Sequence, residues 1–129
     1  MKANMRTLFL LCNLKPMWVV VVWALGVVGA SADTLKEGEE IYGMVCIMCH
    51  LDGSGSEMAP PLVGSALLLG KPDDLIKSIL QGRMGVTSPA ALMPAADWLN
   101  DEQVAAVAEY VRTTYGKNPG PVNPRVVGR

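Results

Sequence analysis

Histidine occurs once in this chain of 129 residues, phenylalanine once and cysteine three times, and only 5% of the residues are aromatic. With one histidine, His50, no single chain can supply two imidazoles to one metal. A structural zinc site is excluded too. It takes four nitrogen or sulfur ligands, and Cys46, Cys49 and His50 have no fourth residue to complete them. Basic clusters are missing, and the formal net charge is −1, so nucleic acid is not an expected partner. No internal repeat is present. The longest apolar run, Met17 to Val28, falls short of the roughly 20 residues that cross a bilayer.

That run has a specific setting. Lys2, Arg6 and Lys15 precede it, and Gly29-Ala30-Ser31-Ala32 follows it. A basic lead, a short apolar stretch and a small-x-small ending read as an export signal over residues 1–32, cleaved after Ala32. A retained membrane anchor is the alternative. Cys12 lies inside this segment and is expected to leave with it. From Asp33 onward there are eight bases and twelve acids, a net charge of −4. An exported chain enters an oxidising compartment, where two remaining cysteines would pair unless other chemistry consumed them.

Those two cysteines stand in Cys46-Ile47-Met48-Cys49-His50. Cys-x-x-Cys-His is the attachment pattern for c-type haem. Each thiol can add to one vinyl group, and the adjacent imidazole can bind the iron from the proximal side. One covalent haem c with its iron is therefore the expected cofactor. It would also help a small domain with few aromatics to complete its core. A dithiol oxidoreductase would need a βαβ setting, and the chain shows helices and prolines instead.

The remaining pattern is helical. Thr34 and Glu37 fit a capping box that opens a helix running to about Cys46. Residues 51–58 read as loop. Ala59-Pro60-Pro61-Leu62-Val63-Gly64 reads as a stiff extended segment, able to offer a carbonyl to His50 Nδ1. Pro72, Asp73 and Asp74 open a second helix that Gly82 ends. Residues 83–97 read as loop. Asn100 and Gln103 cap a last helix, which carries the stripe Val104, Val107, Ala108 and Val111 and ends at Gly116. Residues 117–129 are rich in proline and glycine and are expected to be an extended or disordered tail.

A sixth iron ligand has to come from elsewhere. Lysine would be protonated unless buried, which leaves methionine sulfur. Met44 and Met48 are too near His50 to reach the opposite haem face, and Met58 follows it closely. Met93, stiffened by Pro94, is the preferred ligand, with Met84 or an open site as alternatives.

Over about residues 36–116 the chain resembles the small bacterial class I c-type cytochromes. The resemblance rests on Gly38 and Tyr42, Cys46 to His50, Pro60 to Gly64, the Met93-Pro94 pair, and Tyr110-Val111. It implies an all-α cytochrome c fold of three to five helices around one covalently bound haem, as a domain over residues 33–116. It implies that the first and last helices cross at Gly38, Tyr42 and Tyr110, and that the Pro60 carbonyl meets His50 Nδ1. Arg83 and Trp98 become candidate partners of the haem propionates. Gln81-Gly82-Arg83 also resembles cytochrome subunits attached to periplasmic dehydrogenases. The stretch from Gly85 to Leu92 is longer than the pattern.

The expected function is a periplasmic single-electron carrier, not an enzyme, whose partners are redox proteins such as a dehydrogenase or a terminal oxidase. The alternatives are a dedicated cytochrome subunit of such a complex, or a haem sensor with an open sixth site. Membrane contact is expected only if residues 1–32 are retained.

Overall fold

Alternating apolar stripes and helix stops produce a small helical domain in the computed structural model, which describes residues 32–85, 92–118 and 120–128. The expected export signal lies outside the described residues, apart from Ala32. Helix α1 (Ala32–Ile41) leads into a π-helical turn (Tyr42–Cys46) and then a short α2 (Ile47–His50). Helices α3 (Ala66–Leu69) and α4 (Pro72–Gln81) follow, then strands β1 (Arg83–Met84) and β2 (Leu92–Met93). Helix α5 (Asp101–Thr114) and a 3₁₀ turn (Pro124–Val126) complete the order. No helix among the described residues is long and apolar enough to cross a membrane.

The core lies between α1, α4 and α5. Helix α5 turns Val104, Val107, Ala108 and Val111 inward, and Leu75, Ile76 and Ile79 of α4 meet them. Helix α1 packs mainly on α5, and Gly38 makes the crossing possible. A Cβ on Gly38 would lie 2.7 Å from Tyr110 Cβ and closer still to the Ala106 carbonyl oxygen. Tyr42, one turn on, stacks its ring 5.6 Å from that of Tyr110. The expected crossing of the first and last helices is therefore present.

Local signals set most helix ends. Asn100 Oδ1 accepts from the Gln103 N–H at 2.8 Å, and Gln103 Oε1 accepts from the Asn100 N–H at 3.0 Å. Pro72 opens α4, and Gly82, at φ +68°, closes it. The first helix differs from expectation. It is already helical at Ala32, the first described residue, so Thr34 lies within the helix rather than capping it. Helical structure also continues past Cys46 to His50, through the π turn.

The tail also differs from expectation. Val122 and Val127 are buried in the core cluster, and residues 124–126 form a 3₁₀ turn. Glu109, only 2% exposed, accepts the Val122 N–H on Oε2 at 2.9 Å. The Asn118 side chain donates to the Leu68 carbonyl at 3.3 Å. Proline and glycine rule out long regular elements here, but not docking.

Candidate functional site

Two cysteines three positions apart on a helix lie about one turn apart, and the helical run carries Cys46, Cys49 and His50 to its C-terminal end. Both thiols are free and half-buried. Burial, with the neighbouring Cys49 adding to it, pushes the Cys46 thiol up to about 11. Cys46 also packs against the core cluster.

The last carbonyls of a helix lack intrahelical partners. At this helix end three consecutive carbonyls each have a donor. Ser56 Oγ donates to Cys49 O at 2.7 Å. The N–H groups of Gly53 and Gly55 donate to His50 O at 2.9 and 3.3 Å. The Tyr42 hydroxyl donates to Leu51 O at 2.8 Å. The Leu62 N–H then donates to Gly53 O at 2.9 Å, which ties the proline segment back onto the same turn.

The His50 side chain is half-buried, and its Nδ1 is buried without a hydrogen bond of good geometry. Burial lowers its pKa, and the Pro60 backbone, as an acceptor, opposes that shift. The Pro60 backbone is near enough to act on the ring, while Nδ1 has no partner that meets hydrogen-bond geometry. We read the pair as a contact poised to become a hydrogen bond, the arrangement that orients a ligating imidazole.

Met93 comes from a different part of the chain. The expected loop over 83–97 contains a short antiparallel ladder, in which Arg83 pairs with Met93 and Met84 with Leu92. Successive strand residues point to opposite faces. Met84 and Met93 therefore project from opposite sides of the ladder. Met84 is 77% exposed, whereas Met93 is half-buried and packs on the same core cluster as Cys46. The segment after it is anchored by the Ala96 N–H, which donates to Ile79 O at 2.9 Å. Met44, Met48 and Met58 are all exposed. Trp98 and Arg83 are exposed as well.

These residues fit a haem. A buried imidazole nitrogen stands beside a backbone acceptor, with one free thiol on the adjacent residue and a second about one turn away. Apolar side chains of this half, including Leu51, Met58, Val63 and Leu92, remain exposed, as suits a large flat apolar group. Sequence reasoning missed the role of the Tyr42 hydroxyl and of Ser56. No local pattern marks a tyrosine as the donor to a carbonyl nine residues later.

Comparison with known proteins supplies an independent line. A family model described as "Cytochrome C oxidase, cbb3-type, subunit III" matches residues 33–111. The chain is 40% identical over 92 residues to the fructose dehydrogenase cytochrome subunit of Gluconobacter japonicus, covering 62% of this chain and 19% of that protein. It is 36% identical over 96 residues to the gluconate 2-dehydrogenase cytochrome c subunit of Pantoea cypripedii, covering 67% of this chain and 22% of that one. It is 33% identical over 94 residues to chloroplastic cytochrome c6 of Chlamydomonas reinhardtii, covering 70% of this chain and 62% of that protein. The chain thus spans less than two thirds of the length of each relative.

Proposed function

The chain belongs to this c-type cytochrome family, and from that premise we propose a periplasmic single-electron carrier with one covalent haem c, ligated by His50 and Met93. The observation that carries the proposal is the helical run that ends at His50, with the free thiol of Cys49 directly before it and that of Cys46 about one turn before it. Cys46 and Cys49 would hold the haem through thioether bonds to its two vinyl groups. The haem supplies the one-electron couple when bound.

The protein's own residues prepare for that couple. The Pro60 carbonyl would accept from His50 Nδ1 once the haem is bound and so keep the imidazole in one tautomer and orientation. Met93, held on the inner face of the ladder, offers a thioether sulfur. Two protein ligands retained in both oxidation states leave little to rearrange on electron transfer. No nucleophile or proton donor is needed, so the domain is proposed as a carrier rather than an enzyme.

The test is a pyridine haemochrome spectrum of the purified periplasmic protein. A thioether-type spectrum with one haem per chain is expected, and a spectrum of unmodified haem, or of none, would overturn the reading. Rapid and complete carbon monoxide binding to the reduced form at neutral pH would instead favour an open sixth site.

A second reading has a specific basis. Two of the relatives are cytochrome subunits of fructose and gluconate dehydrogenases. On that reading the chain serves as the dedicated electron acceptor of a dehydrogenase complex. Migration as a lone monomer on native size-exclusion chromatography of a periplasmic extract would count against it.

A further inference from the structure

Leu51, the residue directly after His50, has φ +51° and ψ −133°. A branched side chain rarely occupies that backbone region, and surrounding structure must hold it there. The Leu51 N–H closes the helix on the Ile47 carbonyl at 2.8 Å, and the other local bonds of the turn fall on its neighbours. Ser56 holds the Cys49 carbonyl, and Gly53 and Gly55 hold that of His50. The carbonyl of Leu51 itself is held by the Tyr42 hydroxyl, 2.8 Å away.

Tyr42 is well placed for this. It is 3% exposed, and its ring lies 5.6 Å from that of Tyr110 and 5.3 Å from that of Tyr115. Tyr115 in turn presses on the other side of the turn, where a Cβ on Gly53 would run into its ring. Burial, and then neighbouring Tyr115, push the Tyr42 hydroxyl well above the usual phenol range, so it stays a donor.

We propose that the Tyr42 hydroxyl is a positioning residue for the haem ligand: by clamping the strained Leu51 peptide, it fixes the direction in which His50 leaves the helix. The ring alone would suffice for the helix crossing with Tyr110. The hydroxyl serves the turn. The inference rests on the proposed ligation by His50, and the two can fail separately.

Tyr42→Phe keeps the ring and removes the bond. In the haem-loaded full chain, amide exchange at Gly53 and Gly55 should accelerate roughly three- to tenfold, the loss of one net hydrogen bond. The ferric low-spin electron paramagnetic resonance signal should change its rhombicity, because the imidazole plane turns. The midpoint potential should shift with it. Leu51→Gly should restore the wild-type signal in the Tyr42→Phe background, since glycine takes this φ without a clamp. Val127→Ala, a core truncation in the tail, should lower stability but leave exchange, signal and potential unchanged. If Tyr42→Phe lowers only the melting temperature, or if Leu51→Gly gives no rescue, the clamp is refuted. If Tyr42→Phe does not fold while Leu51→Gly/Tyr42→Phe folds with the wild-type signal, the clamp is supported; if neither folds, it is refuted. A wild-type protein without thioether-linked haem would refute the ligation instead.

Discussion

The two halves of this molecule solve the packing problem differently. Where α1 crosses α5, the chain fills its own space. Val104, Ala106 and Ala108 are fully buried, Gly38 admits the partner backbone, and even the tail contributes Val122 and Val127. Where the helical run ends at His50, the loops leave Leu51, Met58, Val63, Met84 and Leu92 exposed, and a set of hydrogen bonds helps to hold the turn. One half is stabilised by burial. The other is shaped by carbonyls whose donors are specified one by one, as a site that must orient a ligand requires.

Five substitutions would break or sharpen that contrast. Met93→Ala should have the largest effect, a complete loss of the weak iron–sulfur charge-transfer band of the oxidised protein. Met84→Ala, on the exposed face of the ladder, should retain the band; the reverse result would move the ligand to Met84. Gly38→Val strikes the self-filled half. Overpacking against the Ala106 backbone should cost about 3 kcal/mol or more in urea denaturation, and an unchanged midpoint would show that the crossing tolerates a side chain.

Glu109→Ala should cost less, about 1–3 kcal/mol, by leaving the buried Val122 N–H without its acceptor. Hydrogen exchange at Val122 would rise with it, and no change there would separate the tail from the core. Asn100→Ala is the smallest, about 1 kcal/mol from the lost cap of α5. Its effect should appear in thermal melts while the haem spectrum stays constant.

Much of the fold was legible in the sequence because its signals are short-range. The Asn100–Gln103 box closes within four residues, and Pro72 and Gly82 bound α4 by their own backbone restrictions. Thr34 and Glu37 match the same box pattern, yet Ala32 and Asp33 are already helical, so Thr34 does not stand at a helix start. The tail was misread for the opposite reason. Its composition opposes regular structure, but the Glu109 carboxylate and the burial of Val122 and Val127 come from residues distant in the chain. The ladder that separates Met84 from Met93 is only two residues long on each strand, too short for a periodicity to reveal.

By itself the sequence determined the helical class and the cytochrome family, and it pointed to attachment through Cys46 and Cys49 and to a methionine as the proposed partner of the single histidine. These follow from residue type and spacing, which act within a few positions. Only the tertiary structure decided which methionine faces inward, where the tail lies, and that Tyr42 holds the peptide after His50. Those depend on contacts between segments that come together only on folding, where orientation rather than identity sets the result.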